Sequence, residues 1–248
     1  MTKSTLSYFF RPHSTSLLFI LLVLNMPFWL AIRDQEAGWL NIPPAPGANT
    51  VKVLAMGDTQ TAYRMIGIFL QNAGEFGGKG RSLKEYSYEN LEEWFFLADK
   101  LDKRSHYVPF LAAYNFGASR QSEDLDHITD YLIQVGRREG GQRWRWLVRA
   151  FYIALYRQEK PEKALEIAKM LEDHPDPSRP EWSYRLRAMT LARLGDKEAA
   201  YITMRQIINQ GHKTMYPGEI LFMIEYICTE LAEFADGDPL CNKNETIR

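Results

Sequence analysis

An all-α fold is what this chain of 248 residues predicts, and three observations carry the expectation. Apolar residues recur at spacings of three and four along most of its length. The segments so patterned run for about 12 to 18 residues between short polar turns, the length of helices in globular proteins. No convincing stretch alternates with the period of two that marks a half-buried strand. Paired antiparallel helices are the natural arrangement for such a series.

The first element is the most apolar. Arg11 and Arg33 bracket Pro12 to Ile32, a run without acid or lysine, centred on Leu17 to Leu24. At about 1.5 Å per residue, roughly 20 residues cross a bilayer core of about 30 Å. Residues 14–32 are therefore expected to form one transmembrane helix, with 1–13 as a cytoplasmic tail. Trp29 near the far end suits a headgroup level. A cleaved signal peptide is the rival, but Leu30-Ala31-Ile32-Arg33 lacks a small-x-small cleavage site. Lys3 and Arg11 set against Arg33, Asp34 and Glu36 place the amino terminus in the cytoplasm. The expectation is a single-pass protein of a bacterial inner membrane, with its C-terminal domain in the periplasm.

Residues 33–56 read as a Pro-rich linker, because Pro43, Pro44 and Pro46 favour an extended spacer. Within it, Val51 to Ala55 reads as a short strand or an approach segment. Helices follow over 57–236. Asp58 or Thr59 caps the first, which carries Ala62, Met65, Ile66, Phe69 and Leu70 on one stripe. Leu91 to Leu101, His106 to Ala118 and Ser122 to Val135 repeat the pattern. Arg143 to Arg157 forms a fifth helix, Pro161 opens the sixth, Pro180 the seventh, Asp196 the eighth and Pro217 the ninth. Residues 237–248 read as a C-terminal tail.

The segment from Trp182 to Gln210 resembles a tetratricopeptide (TPR) repeat. Ala188 takes the small position of its first helix, Leu194-Gly195-Asp196 the turn, Ala200 the small position of the second helix and Met204 the large one after it. Trp146 to Leu171 resembles it less closely, with Ala164 in the part of Ala200, 36 residues earlier. The resemblance implies a divergent TPR-like solenoid of helical hairpins. Each hairpin buries its apolar stripe only by stacking on a neighbour, which leaves a concave face for an extended peptide or another subunit.

Chemistry is harder to find. Thirty basic residues against 31 acidic ones give a net charge of −1, and no overall field points to nucleic acid. Gly77-Gly78-Lys79-Gly80 lacks the first glycine and the Ser or Thr of a phosphate loop. The histidines show no metal-ligand spacing, and no nucleophile motif appears. No cofactor, metal or enzymatic activity is expected. Cys228 and Cys241 form either a disulfide that clamps the tail to the last helix, or two ordinary thiols, one buried and one in a loose tail.

Local charge is more telling than its sum. From Arg137 to Arg157 six arginines face one acid, Glu139, with Trp144 and Trp146 interleaved. From Pro217 to Asp238 six acids face no lysine or arginine. Arg143, Trp144, Arg145, Trp146 and Arg149 are the candidate partner-binding residues, since Arg and Trp are favoured interface anchors. The opposing reading has the tryptophans packing between repeats and the arginines snorkelling at the rim. The leading functional expectation is a membrane-anchored interaction protein: a scaffold, assembly factor or accessory subunit of a membrane complex. The alternative is a tethered enzyme or small-ligand binder using His106, Tyr107, Tyr114 and Arg145.

Overall fold

The computed structural model describes residues 12–32, 41–76, 79–80, 82–211 and 215–241. Lys3, Arg11, Gly77, Gly78, His212 and the tail beyond residue 241, with the readings placed on them, lie outside the described residues. The chain divides into two units, Met1–Asn41 and Ile42–Arg248.

The first unit contains helix α1, Pro12–Ile32. Among the described residues no helix is long and apolar enough to cross a membrane. This overturns the transmembrane helix expected over 14–32, and with it the single-pass inner-membrane placement and the periplasmic domain. The physical reason is the length of the unbroken apolar block. Leu17 to Leu24 rises only about 12 Å at 1.5 Å per residue, against a hydrocarbon core of about 30 Å. Beyond that block, Asn25 and then Pro27 interrupt the apolar run.

Among its described residues the second unit is all-α apart from a two-residue β ladder, where β1 (Glu75–Phe76) pairs antiparallel with β2 (Lys79–Gly80). Its entry is not a free spacer. Ile42 is buried, and its carbonyl accepts from Asn90 Nδ2 at 2.7 Å. The Pro43 carbonyl accepts from Trp94 Nε1 at 2.8 Å. Expected as linker, residues 42–47 are instead fastened to the helix that carries Asn90 and Trp94. The segment read as a strand or approach is helix α2, Ala48–Leu54, whose Val51 is buried.

Helix α3 (Thr59–Gln71) begins where Asp58 accepts the Gln60 N–H at 2.9 Å. Helix α4 (Tyr88–Leu101) is capped by Ser87 and buries Leu91, Phe95 and Ala98. The next segment is not one uniform helix. Helix α5 (Tyr107–Phe110) contains Pro109, widens into a π turn over Leu111–Asn115 and tightens to a 3₁₀ turn at Phe116–Ala118. Proline has no N–H to give the ladder, and π turns recur at functional sites.

From here the helices pack each against the next. They are α6 (Asp124–Gly136), α7 (Trp144–Tyr156), α8 (Pro161–Glu172), α9 (Arg185–Arg193), α10 (Lys197–Gly211) and α11 (Pro217–Thr229). Small residues set the close approaches. A Cβ on Gly136 would meet the Leu147 backbone nitrogen at 2.7 Å, so glycine alone lets α6 lie this near α7. Ala150, Ala154, Ala164, Ala168, Ala188 and Ala200 are fully buried in the same layers. Cys228 of α11 is joined to Cys241 beyond it in a disulfide that returns the chain to that helix.

Candidate functional site

Helix α7 is buried on most of its circumference. Trp144, Trp146, Leu147, Val148, Phe151, Ile153 and Leu155 all turn inward. What remains exposed, or half-buried in the case of Arg149, is a line at spacings of four, three and four: Arg145, Arg149, Tyr152 and Tyr156. That spacing is one face of a helix, so four consecutive turns present guanidinium, guanidinium, phenol and phenol.

At the upper end the π turn of the α5 segment supplies the second wall. Phe110 and Tyr114 stack at 4.8 Å between ring centres, and the Arg149 guanidinium lies 4.1 Å from the Tyr114 ring. Arg145 lies 5.5 Å from the Trp144 ring. Together with His106 and Trp146 they line a cavity of about 550 Å³. Trp146 Nε1 donates to His106 Nδ1 at 3.0 Å, which requires that nitrogen to be unprotonated. Burial, reinforced by the Arg143 charge, pushes the His106 pKa down and keeps its ring neutral.

At the lower end Tyr152 and Tyr156 stack at 5.9 Å, and Arg193 of α9 lies 5.2 Å from the Tyr156 ring. These three, with Met189 and Tyr226, line a second cavity of about 340 Å³. Arg185 closes that end with its charge already engaged, ion-paired to Glu219 and set 4.4 Å from the Phe222 ring.

No protein-family model, curated protein or solved structure matches this chain. The site therefore rests on its own geometry. Of the five partner-binding candidates, Arg145 and Arg149 stand on the open line. Arg143 does not: it is 5% exposed, and its guanidinium donates to the backbone carbonyls of Lys103 and Ser105. It ties α7 to the turn after α4. Trp144 and Trp146 are buried as well, their indole N–H groups taken by Ser178 and His106. Among the small-ligand candidates, His106, Tyr114 and Arg145 meet at the upper cavity, whereas the Tyr107 hydroxyl is engaged with Gln71.

Sequence reasoning missed Phe110, Tyr152, Tyr156 and Arg193. A signal for the two tyrosines was present: stepping by four and three from Arg145 reaches both. Arg193 comes from another helix, and no local pattern pairs it with Tyr156.

A second charged cluster joins α4 to the turns after α6 and α8. Asp99 takes both Arg138 guanidinium nitrogens at 2.6 Å, and His174 Nε2 bonds the Arg138 carbonyl. Among the described residues no group of His, Cys, Asp and Glu is arranged to hold a metal ion.

Proposed function

We propose that the chain is a non-enzymatic protein-interaction module, built of TPR-like helical hairpins and working as a scaffold, assembly factor or accessory subunit. One observation carries this reading: the unbroken line Arg145, Arg149, Tyr152 and Tyr156, flanked on both sides by further aromatic and arginine side chains. Tyr156 is 56% exposed, Tyr114 49% and Phe110 50%. Large rings left in water beside arginines are the composition of a hot spot before its partner arrives. Both cavities are lined in part by the same face of α7, Arg145 and Arg149 in the upper and Tyr152 and Tyr156 in the lower, which favours a long occupant over a compact one. The small-ligand reading has cavity size in its favour, both volumes falling in the range of about 300–1,000 Å³ typical of ligand sites, but it leaves the line of arginines and tyrosines along α7 unexplained.

The test is photo-crosslinking in cells with p-benzoylphenylalanine placed at Tyr114 or Tyr156, and at Glu166 on the exposed side of α8 as control. Protein adducts are expected from the first two positions and none from the third. Equal adducts from all three, or none at all, would remove the reading.

A further inference from the structure

We propose that this groove selects an extended peptide bearing two carboxylates three or four positions apart, with an aromatic or large aliphatic side chain between them. The proposal rests on the groove being the protein-docking surface and adds what the partner segment must look like.

Charge along this face is unspent. Arg145, Arg149 and Arg193 make no ion pair among the described residues, whereas Arg138, Arg185, Arg187 and Arg205 are each matched to an acid. Position points the same way. The Arg149 and Arg193 guanidinium carbons lie 4.1 Å and 5.2 Å from tyrosine ring centres, so each charge sits beside an aromatic surface. Among the described residues neither guanidinium fork is occupied by a carboxylate, the partner it fits bidentately. Arg149 Nε is shielded from solvent and has no hydrogen-bond partner among the described residues, so the donors of this guanidinium are not all satisfied within the fold.

Spacing comes from the helix. Arg149 and Tyr156, the ring beneath Arg193, are seven residues apart on α7, or about 10 Å at 1.5 Å per residue. A polyproline-like segment repeats its face every three residues, about 9 Å; a β-like one repeats every two, about 7 Å, so that positions four apart also share a face, about 13 Å apart. Either brings successive carboxylates to the two arginines. Between them lies Tyr152, a ring suited to an apolar side chain. The cationic stretch is bounded: Arg185 is neutralised by Glu219, and Glu230 stands on the wall of the lower cavity. That bound disfavours a nucleic acid, whose phosphates carry charge along their whole length and reward a longer basic track.

The experiment uses the full chain as bait for a phage-displayed library of random peptides. Binders are resynthesised with a fluorophore and measured by anisotropy. The expected consensus has two Asp or Glu residues at the stated spacing around Phe, Tyr, Trp, Leu or Met. Arg149→Glu and Arg193→Glu are each expected to weaken binding by about tenfold or more. Because Arg149 is partly buried, Arg145→Glu on the exposed rim serves as the variant that keeps its fold, confirmed by an unchanged melting temperature. A neutral or basic consensus, no enrichment, indifference to charge reversal, or displacement of the peptide by oligouridylate would overturn the proposal. A neutral consensus whose peptides still crosslink to Tyr114 and Tyr156 sinks the carboxylate inference alone. Failure of the in-cell crosslinks removes the docking surface itself.

Discussion

Leu186 and Ala188 sit two residues apart on α9, yet they belong to different hydrophobic cores. The core on the amino-terminal side is built on rings. Phe95 lies 5.1 Å from Tyr131 and 5.6 Å from Phe116, with Trp144, Trp146 and Phe151 buried in the same cluster. The other buries only aliphatic residues and methionine, among them Met204, Ile208, Met223 and Ile227. It compensates with covalent and polar fastening. The disulfide closes a separation of 13 residues, and Asp238 gathers the Tyr201 hydroxyl at 2.8 Å, Arg205 at 3.3 Å and the Leu240 N–H at 3.0 Å. The comparison teaches that one chain meets the cost of ordering itself in two ways. Where large side chains interdigitate, ring burial carries the core, with ion pairs such as Asp99–Arg138 beside it; where they do not, a covalent restraint on the unfolded state is added.

The largest expected effect is on the ring-built core. Phe95 is fully buried, so Phe95→Ala should cost about 3–5 kcal/mol, and a denaturant titration reads it directly. If the two cores unfold as one, both should report the same lowered midpoint. Earlier loss of α4 and α6, with α11 still protected from hydrogen exchange, would show them to be independent.

Reduction of the disulfide attacks the other side. By loop-closure entropy it removes about 3 kcal/mol, all of it from the segment around α11. Amide exchange should quicken in α10 and α11 while α6 to α8 keep their protection. Uniform loss across both regions would contradict the division at α9. A smaller effect of opposite sign is expected at Tyr131, whose hydroxyl is buried without a hydrogen-bond partner. Tyr131→Phe removes that burden and should raise stability by up to about 1 kcal/mol, read as a rise in melting temperature.

How much of this is legible in the chain depends on how local the cause is. Asp58 at the head of α3 and proline at the heads of α8 and α11 can be read directly, because a cap acts within one turn. The docking of Ile42 and Pro43 cannot, since it depends on Asn90 and Trp94 from 48 and 51 residues away. Arg143 misleads for the same reason: a basic residue just before Trp144 reads as surface until a carbonyl 40 residues earlier accepts from it. Helix periodicity is enough to place Arg145 and Arg149 on α7. Their setting requires the widened turn at Leu111–Asn115, which no spacing rule announces.

The smallest expected effect sharpens the comparison by matching Asp238 with its counterpart beside the ring-built core. Asp126 on α6 receives Lys160 Nζ at 2.7 Å, Lys163 Nζ at 2.9 Å and Gln158 Nε2 at 2.8 Å, all from α8 and the turn before it. Partial burial opposes ionisation of its carboxyl, but these donors outweigh it and hold the pKa at about 2. A carboxylate whose folded pKa lies below its unfolded one stabilises the fold above the unfolded value. That contribution fades as pH falls through the folded value, here between about pH 4 and pH 2. The side chain is 38% exposed, so screening reduces the effect to about 1 kcal/mol or less. Melting temperatures of the wild type and Asp126→Asn should therefore differ at about pH 5 and converge near pH 2. A constant difference across that range would mean that Asp126 holds α6 to α8 by shape and neutral hydrogen bonds rather than by charge, leaving no electrostatic fastening of its own beside the ring-built core.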